Sequence, residues 1–479
     1  MLFNSLDFAI FLPIVFCLYW WIGKEKVKMQ NLLLLASSYV FYGWWDWRFL
    51  FLIVFSSLVD YFVGLQLGRE KKSSKKRDFL LFISIVVNLG LLGFFKYFNF
   101  FLDNFLTAFK WFGMPINQGL LEIVLPVGIS FYTFQTLSYT IDIYRNKFEP
   151  TSDIIAFLAF ISFFPQLVAG PIERASNLLP QFYDQRKFDY ADAVNGLRQI
   201  LWGLIKKIII ADKCGEYVNL IFSNHQDYSG STLLIGAILF SFQIYGDFSG
   251  YSDIAIGTSR LFGFSLMKNF AFPYFSRDIA EFWRRWHISL STWFRDYLYI
   301  PLGGSRGGKW MVIRNTFIIF LVSGFWHGAN WTFIVWGFLH AIFFLPLLLT
   351  NNNRRNLDVV ALNSFLPSVK DVISILITFL LTTLAWIFFR ADNVSQAFAI
   401  LSEIGSTSLF QFPELFPIFT FCLIAVFLII EWTGRTGDFG LERIAYYSPK
   451  PVRWAIYMIL ITSLFLSNTA EQEFIYFQF

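Results

Sequence analysis

The stretch RDIAEFWRRWHISLSTWFRDYLYIPLGG, residues 277–304, sets three tryptophans, four arginines and one histidine between long apolar segments. It is too charged to span a bilayer. At 3.6 residues per turn Phe282, Trp286, Ser289 and Trp293 fall near one side, with Arg284, Arg285, Arg295 and Asp296 over the rest. This pattern predicts a helix lying at a membrane interface, holding His287 near membrane depth.

About twenty residues on, Ser323-Gly324-Phe325-Trp326-His327-Gly328-Ala329-Asn330 places a second histidine inside the apolar run from Val312 to Leu349. An imidazole in hydrocarbon is costly unless it is partnered or lines a wet cavity, so its default reading is a functional site. The small Gly324 and Gly328 on either side predict room for a reactant beside the ring. The central expectation is that His287 and His327 meet to form one catalytic centre reached from both sides of a membrane.

The rest of the chain supplies that membrane setting. Of 479 residues 56% are hydrophobic, only 15% are charged, and 62 are phenylalanine, which excludes an ordinary soluble globular protein. Apolar runs of about 17 to 25 residues recur along the whole length, giving about ten to twelve expected membrane segments in an all-α polytopic protein. The net charge of +5 sits in short loops, so it reads as a topology signal and not as a nucleic-acid surface. Lys24, Lys26 and Lys28 follow the first apolar run, and Arg69–Asp78 is strongly basic. Both are expected on the cytoplasmic side, with the N-terminus outside and no cleaved signal peptide. Cys17, Cys214 and Cys422 have neither disulfide nor zinc spacing.

In chain order, residues 3–22 form a first span, and residues 31–67 a hairpin whose Trp-rich tip is Gly43–Arg48. Residues 79–101 cross next, with Lys96 snorkelling. Residues 121–141 form a span interrupted at Pro126 and Gly128, whose polar face seeks protein contact rather than lipid. Residues 154–170 read as a broken helix bracketed by Pro165 and Pro171. Residues 197–210, ending in Lys206 and Lys207, read as interfacial or tilted. Residues 231–245 cross and lead into YGDFSGYSD, residues 245–253. There Asp247 and Asp253 could serve an ion-coupled transporter, but more often cap helices or pair with nearby arginines. Two spans broken at Gly328–Asn330 follow, and 372–389, 416–431 and 452–467 close the chain.

Of the other histidines, His225 reads as a surface loop residue. His340 would lie about 20 Å and some 220° from His327 on one unbroken helix, so the two would not share a face. Neutral imidazole, with an ordinary pKa near 6.5, can accept a proton from a hydroxyl nucleophile. No carboxylate stands where a metal cluster would need one. No GxSxG, P-loop or strand-linked GxGxxG appears, although Gly303–Gly308 with Arg306 could present donors to a phosphate.

At FWRRWHISLSTWFRDYLYIPLGG and SGFWHGAN the chain resembles the membrane-bound O-acyltransferases (MBOAT), in the bacterial branch of the alginate O-acetyltransferase membrane subunit. The similarity continues through LPVGISFYTFQTLSYTIDIYR at 125–145, FPQLVAGPIER at 164–174, YGDFSGYSDIAIGTSRLFGF at 245–264 and the closing FIYFQF. The departure is Ala341, where many relatives have glycine. The resemblance implies one MBOAT membrane domain over 1–479, with peripheral spans in 1–110, a catalytic core in 121–349 and further spans in 371–479. A ring of tilted helices would enclose a thinned centre with a through-tunnel. It implies that His327 is the catalytic histidine, with His287 as its partner. Arg284, Arg285 and Arg306 would meet the phosphates of an acetyl-CoA donor, and Trp286, Trp326, Asn330, Asp247, Ser249 and Ser323 would line the site. It also implies a bacterial cytoplasmic membrane, a periplasmic SGNH-type esterase-like partner and an exported polysaccharide or peptidoglycan acceptor. A transporter or flippase, and D-alanyl transfer on the same fold, are the competing expectations.

Overall fold

The computed structural model describes residues 1–23, 26–71, 74–111, 121, 123–168, 170–467, 472, 474 and 475. All regular structure among them is helical. Among the described residues five helices are long and apolar enough to cross a bilayer: Phe49–Arg69, Lys75–Lys110, Gly230–Leu261, Trp331–Leu349 and Val369–Arg390. Most of the closing FIYFQF lies outside the described residues.

The described chain divides into two compact units. The first comprises residues 1–193 and 258–267. Its helices Val27–Asp46 and Phe49–Arg69 form the hairpin read from the Trp-rich tip. The apolar run at 121–141 is not helical from its start. Gly128, at φ +76°, is the N-cap of a shorter helix, Ile129–Tyr144, because a left-handed residue ends the preceding chain direction at no steric cost to glycine. That helix is buried over nearly its whole length, as its polar face requires. Thr136 donates to Asn88, which donates to the buried Asp60. Hydrogen-bonded polar groups of this kind join helices where apolar surface gives no drive to associate. The broken helix at 154–170 is observed as Ile154–Ser162 and Phe164–Leu167.

The second unit, residues 194–257 and 268–479, carries both histidines of interest. Helices Lys309–His327 and Trp331–Leu349 form a hairpin broken where Gly328–Asn330 predicted. Asn330 caps the second helix, its side chain accepting from Thr332 N at 3.1 Å. The two helices touch backbone to backbone at Gly324 and Gly337. A Cβ on either glycine would stand 3.4 Å from the other's Cα and collide with a carbonyl, of Phe333 or Phe320.

Lys206 and Lys207 lie in a π-helical turn, Ile205–Ala211, and are buried rather than interfacial. Lys207 Nζ lies 2.8 Å from both Asp212 and Asp247 and donates to Gln472 O at 2.9 Å. Lys206 Nζ pairs with Asp253 at 2.9 Å and Glu431 at 3.3 Å. Asp247 and Asp253 therefore pair with lysines, not arginines, and each buried charge is met by an opposite one.

Candidate active site

Residues 277–304 do not form the single interfacial helix that their periodicity predicts. Helix Ile279–Arg285 ends, Trp286 is extended, and His287 takes the left-handed conformation at φ +44° as N-cap of helix Ile288–Phe294. A non-glycine residue there is strained and persists only where its surroundings impose it. Here they do: Ala271 N donates to Arg285 O, and Ile288 N donates to Asn269 O, both at 2.9 Å, so the neighbouring segment grips the chain on each side of the break. Asn269 also accepts from Ser289 Oγ at 2.9 Å. The first short helix is anchored by Asp278, which accepts from Glu281 N at 2.7 Å. Its Glu281 in turn takes Arg277 and Arg285 at 3.0 and 2.9 Å.

This break turns the His287 ring inward. It meets Phe248 edge-on at 4.6 Å and Trp326 at 6.0 Å, and its centroid lies 6.3 Å from that of His327. Two imidazoles forty residues apart in the chain thus share one aromatic chamber. His327, at the last turn of its helix, has Trp326, Trp336 and Phe389 around it at 4.9, 5.1 and 5.4 Å. The room expected beside His327 from Gly324 and Gly328 is occupied by Phe333, whose ring a Cβ on Gly328 would strike.

A cavity of about 620 Å³ runs along helix Lys309–His327. Lys309, Arg295 and Arg354 stand in its lining together with Thr316, Phe320 and Ser323. From Lys309 to Ser323 the lining climbs fourteen residues of one helix, a rise of about 21 Å. Ser323 is one turn short of His327 on the same face, so this end of the cavity approaches the imidazoles, although neither forms part of its wall.

The remaining expected site residues are placed as follows. Arg284 gives its donors to the carbonyls of Asn353 and Asn356 at 2.8 and 2.7 Å, and Arg285 is committed to Glu281 and to Ala271 O. Both brace loops instead of facing the cavity, and Arg306 is exposed outside its lining. Trp286 packs between Phe270 and Trp386 at 5.1 Å each. Asp247 is tied into the lysine network, and Ser249 is buried. Asn330 is a helix cap whose amide donates to Asp392 O at 2.9 Å. The hairpin break also corrects the expectation for His340. Its ring and that of His327 both contact Trp336, at 4.8 and 5.1 Å, because the chain folds back at Gly328–Asn330. Sequence reasoning missed Arg295, Lys309 and Arg354 as site residues; they flank helix ends, Arg295 just after Ile288–Phe294, Lys309 at the start of Lys309–His327 and Arg354 shortly after Trp331–Leu349.

Comparison with known proteins places this geometry. The model of the MBOAT, membrane-bound O-acyltransferase family, matches residues 145–389, which include both histidines and the cavity. The chain is 41% identical over 416 residues to the probable alginate O-acetylase AlgI of Pseudomonas aeruginosa, covering 87% of this chain and 77% of the relative. It is 36% identical over 430 residues to the peptidoglycan O-acetyltransferase of Helicobacter pylori, covering 84% and 79%. It is 32% identical over 229 residues to the teichoic acid D-alanyltransferase of Bacillus subtilis, covering 45% and 57%. With its spanning helices and this likeness over most of its length, the chain belongs to the membrane-bound O-acyltransferase family, as a multi-pass membrane O-acyltransferase.

Proposed function

We propose that this enzyme takes acetyl groups from acetyl-CoA on the cytoplasmic side of a bacterial inner membrane and passes them outward for O-acetylation of an exported polysaccharide such as alginate. The observation that carries this reading is the pair of imidazoles 6.3 Å apart beyond the inner end of a cavity lined by Arg295, Lys309 and Arg354. The cations in the lining suit the donor's phosphates, and its apolar residues suit the extended thioester arm. The relatives named for alginate and for peptidoglycan acetylation support the acetyl group and a cell-surface acceptor.

In this mechanism the acceptor hydroxyl attacks the thioester carbonyl while His327 takes the hydroxyl proton. The carbon–sulfur bond breaks, and the departing thiolate recovers the proton from the imidazolium. His287 orients or polarises one of the reactants. A periplasmic SGNH-type partner completes delivery to the polymer. The basic stretches of sequence at 24–28 and 69–78 support an outward N-terminus.

Radiolabelled acetyl transfer in membranes containing the purified protein tests the proposal. His327→Ala should lower transfer by about 10²–10⁴-fold while acetyl-CoA still binds. Retained transfer would refute it. Asp247→Asn separates this reading from a transporter, in which that substitution, and not His327→Ala, should abolish turnover.

A further inference from the structure

His340 has no place in that mechanism, yet it is fully buried among aromatic rings. Its ring lies nearly parallel to Phe282 and Phe320, each 6.3 Å away, with interplanar angles of 4° and 21°. Its Nδ1 accepts from Trp283 Nε1 at 3.3 Å. A neutral ring that accepts at Nδ1 carries its proton at Nε2, and that atom meets no partner among the described residues. The imidazole is therefore oriented by one hydrogen bond, to an indole.

That indole stands at a decisive place. Trp283 belongs to the lining of the cavity and packs on Phe320, also of the lining, at 5.3 Å. On its other side it meets Trp336 at 5.7 Å, and Trp336 meets His327 at 5.1 Å. Trp283 thus forms part of the cavity wall, and Trp336, outside that wall, packs between its ring and that of His327.

We propose that Trp283 is the stop that limits the acyl group to two carbons, and that His340 is the positioning residue that holds this stop in place through the indole N–H. The proposal rests on the acyl-CoA donor reading given above. A thioester arm entering past Lys309 and Arg354 brings its carbonyl to the level of Ser323, and the methyl of an acetyl group then abuts the Trp283 ring. Each additional methylene collides with the indole. Loss of the His340 acceptor leaves the indole N–H unsatisfied in a dry site and frees the ring to tilt.

The test compares acetyl-, propionyl- and butyryl-CoA as donors for the purified, membrane-reconstituted protein, with kcat and KM for each. Trp283→Ala should raise the butyryl-to-acetyl ratio of kcat/KM by about tenfold or more, the scale of one or two methylenes in an apolar pocket. His340→Phe and Trp283→Phe each break the hydrogen bond and should shift the ratio alike, with no further shift in the double variant. His340→Gln, which can still accept from the indole, should keep the parent profile. A purely structural role would instead lower kcat for all three donors together. A second measurement is independent of the donor: His327→Cys in a Cys17→Ser, Cys214→Ser, Cys422→Ser background, labelled with methyl or butyl methanethiosulfonate and read by mass spectrometry. The butyl reagent should reach this cysteine only when Trp283 is also replaced by alanine. If the parent accepts no acyl-CoA, the donor reading fails and the labelling alone decides. Trp283→Ala leaving the chain-length ratio and the labelling as in the parent overturns the proposal, as does a His340→Gln variant indistinguishable from His340→Phe.

Discussion

Replacing Lys207 with methionine keeps the volume of the side chain and removes only its charge and donors, so the change isolates the electrostatics of the buried network. The ammonium has three protons and three acceptors, Asp212 and Asp247 at 2.8 Å and Gln472 O at 2.9 Å, and its side chain is 1% exposed. Lys206 cannot substitute, because it is held by Asp253 and Glu431. The substitution therefore removes the ammonium that faces two buried carboxylates, of which Asp247 keeps its hydrogen bond from Ile475 N at 2.7 Å. Breaking a buried pair in this way costs about 3–5 kcal/mol, whereas replacing both partners by apolar or neutral groups is often nearly neutral. Thermal and denaturant unfolding of the detergent-solubilised protein, followed by tryptophan fluorescence, should show Lys207→Met as strongly destabilised. The double variant Lys207→Met, Asp247→Asn should recover part of the loss, with a coupling on the order of 1–3 kcal/mol. Wild-type stability in Lys207→Met, or strict additivity in the double variant, would refute the reasoning.

Other consequences are equally open to measurement. His287→Asn tolerates the left-handed backbone and should keep the fold while losing acyl transfer; His287→Val should cost a further ~1–2 kcal/mol of stability, because a β-branched residue fits poorly at φ +44°. Gly337→Ala drives a methyl into Phe320 O and should lower both stability and transfer, whereas alanine at Gly90, where an added Cβ meets nothing within 4 Å, should leave transfer unchanged. Glu414, in the loop after residue 410, accepts from Thr232 and Ser229 hydroxyls, which hold its carboxyl down to about 2 from an ordinary 4.5. A depressed carboxyl stabilises fully above its unfolded value and loses that contribution as pH falls through the folded one. Acid unfolding of the parent should thus steepen between about 4.5 and about 2, and Glu414→Gln should flatten that window.

The sequence made some of this legible and hid the rest for physical reasons. Apolar runs broken by Gly43–Arg48 and Gly328–Asn330 announced two hairpins, because hydrophobic length and small polar breaks are local properties. A histidine inside hydrocarbon announced the chamber. The break at Trp286–His287 was invisible, since the amphipathic period runs straight through it and the forces that impose it come from Asn269 and Ala271. Lys206 and Lys207 looked interfacial because only Asp212 lies near them in sequence; their other carboxylates arrive from residues 247, 253 and 431. Arg284 and Arg285 looked like phosphate ligands, and their loop carbonyls could not be foreseen from spacing. His340 was set aside by helical geometry that the backbone does not follow.

The contact of Gly324 with Gly337 carries one more implication. The distance between His327 and Trp336 is fixed by two absent side chains, a quantity with no intermediate settings: hydrogen is the smallest substituent, and a methyl is already too large. Substitution at these two positions therefore cannot adjust the gauge of the aromatic chamber by small steps. A new acyl or acceptor preference would have to come from exchanging the rings around that contact, not from shifting the contact itself.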